Sequence, residues 1–170
     1  MRVKNLAHLM GALLFGEQPY NRLQLLLTGN PEIQGYLDIP GWLQLPEALA
    51  LYDVARSLST GKNGKQTVIV EIGSFLGKSS VVLAKAVKRH TAPSASLHAQ
   101  LFCIDPFDAS GDSFSTKEYQ QYAKASISLK DKFLDNLRRN NVLDVVQVLE
   151  GYSHEFAAGF DREIDLLFID

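Results

Sequence analysis

The 170-residue sequence has a single cysteine, Cys103, so it holds neither an internal disulfide framework nor a cysteine-rich zinc site. It has no run of five lysines or arginines, and 17 lysines and arginines stand against 19 acidic residues. With a formal charge of −2 it shows neither the basic footprint of a nucleic-acid binder nor a polybasic patch for a membrane surface. No apolar stretch approaches the roughly 18 residues of a transmembrane helix. What is present is 46% hydrophobic and 21% charged residues, the make-up of a globular chain. The length suits one domain with a sizeable core.

Arg2 and Lys4 ahead of Leu6–Phe15 loosely mimic a secretory leader. A small-x-small cleavage site does not follow; Gly16-Glu17-Gln18-Pro19 does. Leu6, Leu9, Met10, Leu13 and Leu14 fall on one helical face, so an amphipathic helix and a cytoplasmic location are expected.

Residues 1–60 read as a helical extension. One helix is expected over Tyr20–Leu27, between Pro19 and the turn Gly29-Asn30-Pro31. Another opens near Pro46, with Glu47 in its first turn, and runs to Leu58. From residue 61 the pattern changes. Thr67–Ile72 is a β-branched run of strand length, expected to be buried on both faces. A turn at Gly73–Gly77 leads into a helix from Lys78 to about Arg89. Leu101–Ile104 is a second strand ending at Asp105-Pro106. The polar stretch after Phe107 is part loop and part helix. Ser128, three residues before Asp131, reads as an N-cap, and Asn140-Asn141 ends that helix. Val145–Leu149 and Leu166–Ile169 are a third and fourth strand, with a short helix or loop between.

Strands alternating with helices predict an α/β fold: a Rossmann-like, doubly wound parallel sheet, truncated after the fourth strand, behind an N-terminal helical extension. Ligands bind such sheets at the carboxyl ends of the strands, beside the reversal in strand order. The candidate positions are therefore Gly73–Ser79, Asp105–Asp108, Gly151–His154 and Asp170.

Three cofactor chemistries compete for the loop after the first strand. A triphosphate loop wants G-x-x-x-x-G-K-[ST], which puts its first glycine at position 72; that residue is Ile72. A dinucleotide loop wants G-x-G-x-x-G, which puts a glycine at position 75; that residue is Phe75. The third is a nucleoside cofactor whose only anion is a carboxylate. An acid before the loop, glycines spaced G-x-x-x-G and an acid ending the next strand suit S-adenosyl-L-methionine.

Here the residues resemble a family. Val70-Glu71-Ile72-Gly73-Ser74-Phe75-Leu76-Gly77-Lys78-Ser79-Ser80 is similar to the first motif of the class I S-adenosylmethionine-dependent methyltransferases. The likeness is to the small-molecule, catechol O-methyltransferase-like branch. Cys103–Phe107 resembles the second motif, and Gly151–His154 and Leu167–Asp170 resemble the third and fourth strand ends. Gly41-Trp42 and the Pro46–Leu58 helix look like the branch's lead-in helix. The resemblance implies transfer of a methyl group to a small-molecule acceptor, at a hydroxyl. It also implies a longer sheet than the four strands read here. On it, 61–170 is the cofactor-binding half of a domain that is incomplete at its C-terminus, and the strongly apolar last strand leaves an edge that a homo-oligomer can cover.

Residue roles follow from the same resemblance. Gly73 and Gly77 give the backbone room at the methionine end, and Ser74 and Phe75 belong to that loop. Ser79 holds the methionine carboxylate. Glu71 anchors the loop or the cofactor's amino group. Asp105 accepts from both ribose hydroxyls. Pro106 and Phe107 flank the adenine, and Gly151, Ser153 and His154 sit near its edge. Asp170 and His154 are the catalytic candidates. Asp170 also matches the metal ligand of metal-dependent members, but magnesium finds no further ligands in this chain.

Plainer readings stand beside these. Ser79 reads equally as a helix cap, His154 as a surface histidine, Cys103 as a core residue and Trp42 as a packing anchor. Lys78 reads as solvent-facing, and Asp108–Asp112 as a solvated loop or lid. At the level of the whole chain, the alternatives are a cofactor-binding or interaction domain without chemistry, and a nucleotide triphosphatase.

Overall fold

A computed structural model of the chain describes residues 16–59, 66–88, 99–111, 115–123 and 126–170. The expected helix over Leu6–Leu14 lies outside these residues. The run Thr67–Ile72 forms β1 at the centre of a four-stranded parallel sheet. β2 (Ala99–Asp105) pairs with it on one side and β4 (Leu166–Ile169) on the other, and β3 (Val146–Glu150) pairs with β2. The order is therefore β3-β2-β1-β4, with the reversal between β1 and β4. Central placement explains the largely apolar run: both faces of β1 are covered, and its one charged residue, Glu71, is itself buried. Ile72 pairs in register with Ile104 and Ile169, so the carboxyl ends of β1, β2 and β4 finish level.

The helices are α1 (Glu17–Leu27), α2 (Leu45–Leu58), α3 (Lys78–Lys88), α4 (Thr116–Ala123), α5 (Leu129–Arg139) and α6 (Ser153–Ala157). A 3-10 helix at Pro31–Asp38, which the sequence did not announce, joins α1 to α2. It buries Ile33 and Tyr36, three residues apart and thus on one side at its tighter pitch. Pro19 falls inside the first turn of α1, where its missing N–H costs nothing. Two caps act as local signals: Ser128 Oγ accepts from Asp131 N–H at 3.0 Å, and the Gln44 N–H donates to Glu47 Oε2 at 2.8 Å.

The sheet is covered unequally. On one face α3 is buried almost all round; Val81, Val82, Leu83, Ala84, Ala86 and Val87 are within the core. Leu25, Ile33, Tyr36 and Tyr52 of the N-terminal elements and Phe133 and Leu137 of α5 close that core. The other face carries Val68, Val70, Phe102 and Ile104, with Phe156 and Phe160 packed against them. Cys103 lies in the larger core, as a small apolar residue does. On β4, Leu167 and Ile169 are 48% and 66% exposed. No helix among the described residues is long and apolar enough to cross a membrane.

Phe133 is fully buried, and its ring lies under Gly77 and 5.2 Å from the Phe107 ring. Phe133→Ala is expected to cost about 3–5 kcal/mol, through lost transfer energy and an unfilled cavity. Urea unfolding measures it.

Candidate functional site

The end of β1 places a carboxylic acid where water does not reach. Glu71 is fully buried. Its Oε2 accepts from Ser74 Oγ at 2.7 Å and from Ser80 Oγ. These bonds tie the loop and the first turn of α3 to the strand. Its Oε1 is buried and has no hydrogen-bond partner among the described residues. Burial pushes the Glu71 carboxyl up from its ordinary value, against the hydroxyls of Ser79, Ser80 and Ser74.

Above Glu71 the chain turns through three residues in the left-handed region: Gly73 (φ 88°), Phe75 (φ 45°) and Gly77 (φ 86°). At Gly73 a Cβ would stand 2.9 Å from the Asp170 carbonyl oxygen; at Gly77 it would meet the Phe133 ring at 3.0 Å. Both positions therefore need glycine for conformation and for space. Phe75 has no such freedom and is held from outside. Its N–H donates to Asp105 Oδ2 at 2.8 Å. Asn136 Nδ2 donates to the neighbouring Leu76 carbonyl at 2.9 Å.

Asp105, at the end of β2, also accepts the Phe107 N–H on Oδ1 at 2.6 Å. Burial raises its pKa, the two backbone donors oppose this, and the charge of Asp108 adds to the rise. Asp108 in turn clasps the next loop. Tyr152 Oη donates to Asp108 Oδ2 at 2.7 Å, and the Ser110 N–H donates to Oδ1 at 2.8 Å. This places the Asp108–Ser110 segment against the β3 loop, so the part of the expected lid within the described residues is tethered.

These elements enclose a cleft of about 530 Å³ at the strand ends, within the usual size of a small-molecule site. It brings together Gly73, Ser74, Phe75, Ser79, Asp105, Pro106, Gly151, Ser153 and Asp170 from the sequence-derived set. Glu71, Gly77, Phe107 and His154 do not line it. Glu71 and Gly77 sit beneath the loop, Phe107 packs on Phe133, and His154 is exposed on α6 and stacked on Tyr152 at 5.7 Å. At the rim, desolvation and the charge of Glu47 push the Asp170 carboxyl up, while the Ser79 hydroxyl opposes. Among the described residues no group of three His, Cys, Asp or Glu is arranged to hold a metal ion.

Several walls of the cleft come from outside the residues assigned to the cofactor. Trp42 is 44% exposed, lines the cleft, stacks on Phe75 at 6.4 Å and meets Tyr119 at 5.8 Å. It is a packing residue and a wall at once. Tyr119 lies on α4, in a stretch with no clear apolar period. Tyr152 stands between two residues that had been singled out, so its place was within reach. Lys78 is a correction: it does not face solvent. It is half-buried, lines the cleft and donates from Nζ to the Gly41 carbonyl at 3.0 Å, because the Gly41 loop folds back over the start of α3.

No curated protein matches the chain in sequence. A family model described as a methyltransferase domain matches residues 70–170, more than half of the chain. The chain belongs to this family of methyltransferase domains. Among solved structures, cofactor-bound Rv0187 from MTB is similar with a TM-score of 0.51 and 17% identity, over 97% of this chain and 59% of that one. A putative O-methyltransferase from Klebsiella pneumoniae gives a TM-score of 0.52 and 18% identity, over 95% and 62%. The O-methyltransferase TomG from Streptomyces achromogenes, in complex with SAM, gives 0.48 and 20%, over 82% and 51%. At these identities the first two establish a shared fold, and the chain spans about three-fifths of their length or less.

The raised pKa of Glu71 has a definite sign. The folded state prefers the protonated acid, so its contribution is whole below the unfolded carboxyl value. It is lost as pH rises through the folded pKa. Asp105 and Asp170 contribute with the same sign. Glu71→Gln, which keeps an oxygen for the two serine hydroxyls, is expected to remove part of the fall in stability between the unfolded and the folded pKa. Urea unfolding at a series of pH values checks this, and an unchanged slope in the variant would show that Glu71 is ionised throughout.

Proposed function

We propose that the chain is the cofactor-binding part of an S-adenosyl-L-methionine-dependent methyltransferase that acts at a hydroxyl of a small molecule. On this reading 61–170 is the catalytic domain's cofactor half and 1–60 a helical cap. A cytoplasmic location and the absence of a nucleic-acid partner belong to the same proposal. The observation that carries it is Asp105, at a strand end, facing a glycine loop across a cleft that two carboxylates line. Asp105 and Asp170 oppose a triphosphate there, and Lys78 is the one lysine or arginine among the described lining residues. A nucleoside with a single carboxylate suits that balance.

The residues fit the cofactor. A carboxylate accepts about four hydrogen bonds, and Asp105 accepts two, from the Phe75 and Phe107 N–H groups. The rest are free for a ribose diol. The free N–H groups at the start of α3, around Ser79, suit the methionine carboxylate. Gly73 allows close backbone approach, and Pro106, Gly151 and Ser153 line the side of the cleft nearest Asp105 where the adenine would lie. Glu71 acts from below by holding Ser74 and Ser80 in place.

When bound, S-adenosylmethionine supplies a sulfonium methyl group open to in-line displacement. The protein positions the acceptor, excludes water and takes up the hydroxyl proton. Asp170 is the group assigned to that proton, because it lines the cleft and desolvation pushes its carboxyl up from the ordinary value. His154 stands outside the lining and is given no part in this step.

S-Adenosylhomocysteine is expected to raise the melting temperature of the full chain, and ATP with magnesium is not. Saturation at 100 times Kd corresponds to about 2.7 kcal/mol. The opposite pattern refutes the proposal. Asp105→Ala is expected to weaken S-adenosylhomocysteine binding by about 1–3 kcal/mol, the scale of charge-assisted hydrogen bonds, as read by calorimetric titration. Unchanged affinity would remove Asp105 from the ribose site.

A further inference from the structure

The family match begins at residue 70, yet Pro40, Gly41, Trp42 and Leu43 line the cleft. Something must hold this earlier segment at the site. Its C-terminal side is fixed by the start of α2: the Gln44 N–H bonds Glu47, and Gln44 Nε2 donates to the Trp42 carbonyl at 3.2 Å. Its other tether comes from across the cleft. Lys78 is the first residue of α3, directly after Gly77. Its Nζ donates to the Gly41 carbonyl and lies 5.7 Å from the centre of the Tyr36 ring. Its stem runs under Gly41, where a Cβ would stand 3.2 Å from Lys78 Cδ; the φ of 142° there also disfavours any other residue. The Trp42 ring then rests on Phe75 and Tyr119.

One side chain thus connects the glycine loop to two N-terminal elements. Burial lowers the Lys78 pKa and the charge of Glu17 opposes this; the Gly41 carbonyl and the Tyr36 ring are the partners beside the ammonium. We propose that Lys78 is a positioning residue: it straps the Gly41–Trp42 segment to the start of α3 and so makes that segment a specificity-determining wall of the cleft. That the wall selects a methyl acceptor rests on the function proposed above; the strap itself does not.

Trp42 is the chain's single tryptophan, so its fluorescence reports on this segment alone. Lys78→Met keeps the apolar stem and deletes the donor. It is expected to raise the acrylamide quenching constant of Trp42 about twofold, as a charge-assisted tether is released. Lys78→Arg is expected to restore the wild-type value. Equal quenching in wild type and Lys78→Met overturns the proposal, and so does an arginine variant as open as the methionine one. If Lys78→Met does not fold, Gly41→Ala presses on the lysine stem and is expected to give the same rise; unchanged quenching there overturns the strap. The melting shift with S-adenosylhomocysteine separates the two readings. A shift without any effect of Lys78→Met sinks the strap and leaves the cofactor site. Opening of Trp42 in Lys78→Met without a shift sinks the cofactor reading and leaves the strap.

Discussion

The carboxylate of Asp105 is the constraint on which the strand-end architecture depends. It accepts one backbone N–H from each of two loops, at Phe75 and at Phe107. Both residues sit at positive φ, a conformation that a side chain disfavours and that must be imposed from outside. With Phe75 held this way, its ring meets Trp42 and, on α4, Tyr119 and Tyr122, so two separate segments acquire a common anchor. With Phe107 held, its ring reaches Phe133 beneath Gly77. The same oxygens keep lone pairs for a ligand, so one group shapes the cleft and lines it.

Glu71 completes that arrangement from below. A buried carboxyl is costly unless it is bonded, and here the hydroxyls of Ser74 and Ser80 converge on one of its oxygens. The gain is rigidity at the point where strand, loop and helix meet. The raised pKa records the part of the desolvation cost that those bonds do not recover. Glu71 therefore belongs to the site without lining it.

Much of the fold was legible because it is written in local periodicity. The Thr67–Ile72 strand has the expected bounds, since a largely β-branched run without polar alternation has only one stable place, the middle of a sheet. The Ser128 cap and the α5 helix it starts were readable from side chains that bond their own backbone. The 3-10 helix at Pro31–Asp38 was not, because its short-range bonds follow from docking Ile33 and Tyr36 into the core rather than from propensity. α4 lacked an apolar period because its aromatic residues face a loop, not a sheet.

The same division runs through the site. The sequence alone singled out Gly73, Ser79, Asp105, Gly151 and Asp170, which the structure brings to one cleft, because strand ends in a parallel sheet must open to one side. Only the tertiary structure decided that Glu71 lies beneath the cleft, that His154 stands outside it, and that Lys78 turns inward to hold Gly41. Those outcomes depend on contacts between residues far apart in the chain, such as Gly41 with Lys78 and Phe75 with Asp105, and no local pattern encodes which distant groups a fold will bring together.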